Sequence, residues 1–332
     1  MKNAHAARCL VGVLLAGVLS VFCILGLPSI QSVSDAAATV IATSQKSGTE
    51  VTLMGVFFRN TQVGWAVGAA GTVLKTADGG KKWRRLTSGT SALLTNVSFV
   101  DSQRGWVVGA GGTIRSTKDG GERWVAQPTG TQVPLYGVAF VSSSTGWVVG
   151  GGGTILHTED GGASWTDQTG GTNATLYAVH FMNEHRGTAV GALGTIVSTE
   201  DGGTTWTPRE TQSAATFFDV SFSDSATGWV VGNAGALFQT NDGGQRWVDR
   251  TLPCTKTCTK LTDLIRIRFT APHTGWIVGE RGMIFRTTDA GFNWGEHDSA
   301  AKVSLLGLSF PESAHGWAVG EKGTIIHING AP

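Results

Sequence analysis

Charge is scarce in this sequence. Asp, Glu, Lys and Arg make up 15% of its 332 residues and sum to a net charge of +1, against roughly 25% charged residues in a typical soluble domain. No global field of either sign argues for nucleic acid as a partner. Proline is also scarce: 8, beside 48 glycines, a balance that points to many tight turns rather than to disorder. Only two tyrosines, Tyr136 and Tyr177, are present. Beyond the N-terminus no stretch reads as a helix. Apolar residues alternate, or come in short runs bounded by Gly, Asp, Ser and Thr, which is the pattern of strands and turns.

The N-terminus departs from this. Lys2 and Arg8 precede CLVGVLLAGVLSVFCILGL (9–27), which carries no charge. A basic start followed by a long apolar run is an export signal. It is long for a cleaved signal peptide and about long enough to span a bilayer. DAAAT (35–39) could hold a cleavage site, so anchoring and release both stay open. Phe22 before Cys23 argues against lipidation. The expectation is an exported protein on the periplasmic or lumenal side of the inner membrane, with residues 1–36 as anchor or signal plus linker and 37–332 as the folded domain. Four cysteines fit an exported chain: Cys9 and Cys23 in the apolar segment, Cys254 and Cys258 in PCTKTC. The latter two are expected to pair in an oxidising compartment and to stiffen one local loop. A metal reading of that loop needs further ligands nearby, and the sequence offers none.

The rest of the chain repeats. GWAVG (64–68), GWVVG (105–109), GWVVG (146–150), GTAVG (187–191), GWVVG (228–232), GWIVG (275–279) and GWAVG (316–320) start 41, 41, 41, 41, 47 and 41 residues apart, the long interval containing PCTKTC. A second motif, Thr-x-Asp-Gly-Gly-x-x-Trp, occurs six times, at 76–83, 117–124, 158–165, 199–206, 240–247 and, with Ala for the first Gly, 287–294. Together the two motifs use all twelve tryptophans. In the second unit 93–100, 105–110, 112–117 and 123–127 read as four short strands. Four antiparallel strands per period of this length make one propeller blade. The seventh unit stops without a fourth strand, and TVIATS (39–44) falls in fourth-strand phase upstream of the first. The expectation is an all-β, seven-bladed propeller whose N-terminal strand completes the last blade, removing the open edge of a partial ring.

A feature that occurs six times is more readily structural than catalytic. Asp78, Asp119, Asp160, Asp201, Asp242 and Asp289 are read as turn-forming carboxylates that accept main-chain N–H bonds, one per turn and so too few for a calcium cage. Ala290 is expected to leave its turn less tight. Thr188, in place of Trp in the fourth GW motif, requires a neighbour to fill the volume. Functional candidates lie where blades differ. The first strand of each blade is expected to line the axial channel with two rows, Gly55, Asn96, Gly137, Ala178, Asp219, Arg266, Gly307 and Phe57, Ser98, Ala139, His180, Ser221, Arg268, Ser309. In them Arg266, Arg268, His180 and Asp219 stand out. They read either as an internal ion pair, Arg266 with Asp219, or as a cationic spot for an acidic peptide, a carboxylate or an anionic head group. Arg115 stands where other units have apolar residues and either snorkels to an edge or touches a partner. The turns after GWxVG carry Glu280–Arg281 and Glu321–Lys322 in the last two blades, a face read as solvated or as a partner contact.

The combined motif GWxVGxxGTIxxTxDGGxxW in this period resembles the photosystem II stability/assembly factor family over about residues 39–330. The resemblance implies a seven-bladed propeller without enzymatic activity and without a cofactor, which binds a membrane protein or membrane-complex subunit. In that family an arginine patch is associated with partner binding, and Arg266 and Arg268 are the nearest match here. A monomeric ring is expected. An envelope glycan- or ligand-binding propeller is the alternative. A glycoside hydrolase is a third, since the Asp motif also occurs in sialidases. A sialidase-like site needs an arginine triad and a Tyr nucleophile, but no triad emerges from matching blade positions. By strict alternation both tyrosines fall on the strand face opposite the channel rows.

Overall fold

The computed structural model describes residues 40–251 and 262–330. The apolar segment 9–27 and the Cys254–Cys258 pair therefore lie outside the described residues. Those described form seven four-stranded antiparallel sheets. The first strands of the blades are Leu53–Phe58, Leu94–Phe99, Leu135–Phe140, Leu176–Phe181, Phe217–Phe222, Leu264–Phe269 and Leu305–Glu312. Each GWxVG or GTAVG motif is the second strand, and all its residues are buried, because it has a strand on either side and a blade against either face. That is why these strands read as continuous apolar runs rather than alternations.

The opening glycine of the motif makes room for an aromatic ring. A Cβ at Gly64 would sit 2.6 Å from the ring of Phe58 on the paired first strand. The tryptophan that follows packs across the seam onto the next blade: Trp65 stacks on Phe99 at 3.7 Å, Trp106 on Phe140 at 3.5 Å and Trp147 on Phe181 at 3.5 Å. Apolar clusters of this kind fill all seven seams, so the core is a set of interblade layers rather than one centre.

The ring closes as expected from the phase of the repeat. Val40–Gln45 pairs antiparallel with Ile325–Gly330, from Val40 opposite Gly330 to Gln45 opposite Ile325, and becomes the fourth strand of blade 7. Trp317 of blade 7 stacks on Phe58 of blade 1 at 3.6 Å. Gln45 Nε2 donates to the carbonyl of Gly79 in the first Asp turn at 2.9 Å.

One irregularity recurs in every blade. The register steps from Leu53 opposite Gly68 to Gly55 opposite Val67, leaving Met54 as an extra residue. The same β-bulge leaves Thr95, Tyr136, Tyr177, Phe218, Ile265 and Leu306 as extra residues in the other six. A bulge breaks alternation and re-aims a side chain, and repetition sets seven such positions around the axis.

Candidate functional site: the axial channel and its collar

The Asp turns show how the scaffold is held. Thr76 Oγ1 donates to Asp78 Oδ1 at 2.9 Å and accepts from Gly80 N at 2.8 Å, while Asp78 Oδ1 accepts from Lys82 N at 2.9 Å. The other five turns repeat this set around Asp119, Asp160, Asp201, Asp242 and Asp289. The hydrogen bond from the residue four positions on is the largest influence holding Asp78, Asp119, Asp201 and Asp242 below the usual carboxylate range. At Asp160 the Ser164 hydroxyl leads, and both Asp160 and Asp242 fall to about 2. At Asp289 burial opposes the shift and the bonds from Asn293 and Thr287 outweigh it. The expected slack at Ala290 is not found. The sixth turn keeps its hydrogen bonds, and Ala290 adopts φ +62° to do so.

The first channel row needs correction. A Cβ at Gly55 would lie 3.1 Å from Asn96 Cα, one at Gly137 3.1 Å from Ala178 Cα, and one at Gly307 3.1 Å from Gly55 Cα. These residues are small because the next blade's first strand packs against them, so this row faces the seam rather than the channel. Asp219 follows the same direction. It is 4% exposed, and its Oδ2 accepts from Ile267 N at 3.0 Å and from Arg268 Nη1 at 2.9 Å on blade 6. The ion pair therefore forms with Arg268 rather than with Arg266. Ser221 Oγ and Ser309 Oγ likewise accept main-chain N–H groups of the next blade, Phe269 N at 3.2 Å and Phe58 N at 2.9 Å.

Arg266 takes another course. Its Nη1 donates to the carbonyls of Phe218, at 3.2 Å, and Ile265, at 3.1 Å. Burial pulls the guanidinium below its ordinary value; Asp219 opposes this and Arg268 adds to it. A guanidinium stays protonated at physiological pH regardless. His180 packs its ring 5.6 Å from Phe222, at the seam where Thr188 replaces tryptophan. Burial, helped by Arg268 and opposed by Asp219, lowers its pKa to about 4. The structure thus brings His180, Asp219, Arg266 and Arg268 together across blades 4, 5 and 6. With His180 neutral at pH 7, two guanidinium groups face one carboxylate.

Glu280–Arg281 and Glu321–Lys322 occupy the turns between second and third strands of blades 6 and 7. Arg281 and Lys322 are exposed and lie at φ +58° and +54°. Glu280 Oε2 accepts from Asp263 N at 3.5 Å. Because Leu264 pairs with Gly279 and Leu305 with Gly320, these turns lie at the end of the ring where first strands begin. Arg115 is half-buried and donates to the carbonyls of Trp124, just before the outer strand of blade 2, and Gly89, tying that blade to the preceding connection.

Alternation missed the collar at that same end. Tyr136 and Tyr177 are bulge residues, half-buried, with ring centroids 5.1 Å apart; Tyr177 and Phe218 are 5.9 Å apart. Met54, Ile265 and Leu306 continue the half-buried apolar ring, and only Thr95 is tucked in, donating to the carbonyls of Val108 and Leu135. An innermost strand is walled by its own second strand and by both neighbouring blades, so the solvent these side chains meet is that of the axis. The signal was present as an apolar residue after the opening Leu or Phe in six of seven units.

Elsewhere, a cavity of about 330 Å³ between blades 2 and 3 is lined by Arg104, Lys118 and Asp160, the last already committed to its turn. Among the described residues no group of three or more His, Cys, Asp or Glu side chains is placed to hold a metal ion.

A family model described as "Photosynthesis system II assembly factor YCF48" matches residues 35–125, 82–169 and 210–304, well over half of the chain. No curated protein matches it. Among solved structures, "YCF48 bound to D1 peptide" is 20% identical with a TM-score of 0.73, over 88% of this chain and 95% of that one. YCF48 from Cyanidioschyzon merolae is 21% identical with a TM-score of 0.72, over 88% and 99%. A streptogramin B lyase is 13% identical with a TM-score of 0.73, over 88% and 98%. At these identities the structural likenesses establish the fold alone.

Proposed function

The chain belongs to the photosynthesis system II assembly factor YCF48 family, and on that premise we propose that it is an exported, membrane-associated propeller scaffold that binds a membrane-protein partner during assembly or stabilises it. The observation that carries this is the family match, which spans blades from both halves of the ring. Three others support it. The N-terminal apolar segment 9–27 suits export and a membrane-side address. One relative was solved with a D1 peptide bound. Where blades 5 and 6 meet, two cations, Arg266 and Arg268, stand beside one carboxylate, Asp219.

We read the chain as a binder rather than an enzyme. The same fold does carry enzymes, among them the lyase and a xyloglucanase, so the fold decides nothing here. What supports the reading is the site itself. Its buried carboxylate, Asp219, is spent on Arg268 and a main-chain N–H. Ordinary glycosidase chemistry needs a pair of carboxyl groups free to exchange protons. The half-exposed aromatic rings of Tyr136 and Tyr177 favour one second reading, an envelope propeller that stacks sugar rings there.

The test is crosslinking in intact cells, followed by purification in mild detergent. A specific membrane-protein subunit should co-purify with the full chain, and Arg266→Ala should reduce its yield without lowering the amount of propeller. Recovery of the propeller alone would count against an assembly role and move the sugar-binding reading forward.

A further inference from the structure

We propose that the basic sector of blades 1 and 2, at the end of the ring opposite the collar, is a docking surface for a bilayer that contains anionic lipid. This deepens the membrane-side reading above and rests on it.

The near-zero net charge hides a separation of charge. Residues 51–127, which span blades 1 and 2, hold ten Lys and Arg against four Asp and Glu, whereas residues 128–332 hold twelve against eighteen. Asymmetry of this kind marks a polyanionic partner. Strand direction gathers the cations at one end. Each Asp turn follows a third strand and packs on the turn that follows its blade's first strand: Gly79 N donates to Gln62 O, and Gly120 N to Gln103 O. Arg59, Lys81, Lys82, Arg85, Lys118 and Arg123 lie in those turns or next to them, and all six are exposed. The ion pairs among the described residues involve none of the six. The four acids of the sector are already engaged. Asp78 and Asp119 are held by their turns, Glu122 meets Lys75 and Arg84, and Asp101 meets Arg104. Six unneutralised cations in one sector attract an anionic surface and release it as salt rises.

The kind of surface follows from the path of the chain. Val40 pairs with Gly330, whose N–H donates to the carbonyl of Ala314, between the first and second strands of blade 7. The closing strand therefore begins at this same end. Its Gln45 accepts from Trp83 Nε1 at 3.4 Å, in the middle of the run KKWRR at 81–85. Residues 28–39 separate Val40 from the apolar run 9–27, and that many residues span no more than about 40 Å. A bilayer held by the run is within reach of blades 1 and 2. Long, unpaired side chains on turn tips suit the mobile head groups of a fluid surface better than one stereospecific ligand. The collar and Arg266 are left free at the other end.

The experiment reconstitutes the full chain into nanodiscs of phosphatidylcholine alone or with about 30% phosphatidylglycerol and follows acetylation of each lysine by a water-soluble reagent, read by mass spectrometry. Lys81, Lys82 and Lys118 should react about fivefold more slowly in the anionic discs, and high salt should remove the difference. Lys302, exposed just before the first strand of blade 7 and so at the other end, should react equally in both. Lys81→Glu combined with Lys82→Glu and Arg85→Glu should abolish the protection of Lys118, and Lys302→Glu should leave it intact. Thermal melts identify a variant that fails to fold, and the wild-type comparison between lipids decides the proposal without it. Equal rates in the two lipids, protection that survives the three reversals or high salt, or equal protection of Lys302 would each overturn the proposal. Lysines unprotected by anionic lipid but protected by the crosslinked membrane subunit would overturn it in favour of an acidic protein face and leave the assembly reading standing. Protection as described, with no membrane subunit crosslinked, would keep the lipid face and remove the assembly role.

Discussion

Asp219 does two jobs at once, holding the Ile267 N–H and the Arg268 guanidinium of the adjoining blade from a 4% exposed position. Removing it leaves a buried donor unsatisfied and a cation unpaired, so Asp219→Ala should cost about 2–3 kcal/mol, measured by denaturant unfolding. Asp219→Asn, which can still accept from Ile267, should cost less. Ala290 offers the opposite sign. Its φ of +62° is a conformation that glycine adopts freely, and Ala290→Gly should stabilise the protein by about 0.5–1 kcal/mol. His180 links a residue to pH. Its pKa falls to about 4 in the fold because burial, with Arg268 of blade 6 alongside and Asp219 of blade 5 opposing, disfavours the charged ring. The unfolded chain, titrating near about 6.5, then binds more protons between these values. The stability His180 contributes is complete above about 6.5 and is lost as pH falls towards 4. Wild type should therefore lose more melting temperature than His180→Phe between pH 7 and pH 5. The identities of these residues were legible in the sequence because they break the repeat. Their partners were not, since whether Asp219 meets Arg266 or Arg268 depends on side-chain direction across a seam.

At the scale of the element, the Asp turn and the closing strand carry most of the architecture. All six turn carboxylates lie below their ordinary range, two of them at about 2. Their folded values are depressed, so the stability they supply is present above the unfolded value of about 4 and lost as pH falls through the folded ones. Melting temperature should drop most steeply between about pH 4 and pH 2, and single Asp→Asn changes at Asp160 or Asp242 should flatten that drop. The closing strand invites a blunter test. Deleting the chain up to residue 46 would expose the Ile325–Gly330 edge, a ready template for pairing with another chain. Size-exclusion chromatography should then show more self-association than the full chain does. The strand was readable from repeat phase alone to within one residue, as were the first three strands of the second blade, while its fourth, expected over 123–127, is the shorter Val125–Ala126. The collar escaped the same reading because strict alternation assumes an unbroken ladder, and one extra residue per first strand inverts the faces that alternation assigns. The tryptophans show how local chemistry fades toward the closure. Trp65, Trp106 and Trp147 donate Nε1 to Gly120, Gly161 and Gly202 of the next blade's Asp turn. Nε1 of Trp229, Trp276 and Trp317 is buried with no acceptor among the described residues. Trp229 faces the Ala290 turn and Trp276 faces the blade without an Asp turn.

For the whole molecule, the repeat specifies a rigid ring and leaves its ends and axis free to vary. Lyases, xyloglucanases and YCF48 proteins share that ring with this chain, so its use is written in the few positions that the repeat does not dictate. Those positions gather at one end: the collar, Arg266, Leu193 and the charged turns at Arg281 and Lys322. On the function proposed above, this chain serves the assembly of a membrane complex. The most direct measurement is native gel electrophoresis of solubilised membranes from cells with and without the chain, with each band identified by mass spectrometry. Loss of the chain should deplete one multisubunit membrane complex and accumulate an earlier assembly form of it, and the wild-type gene should restore the pattern. Unchanged membrane complexes in cells that lack the chain would contradict it.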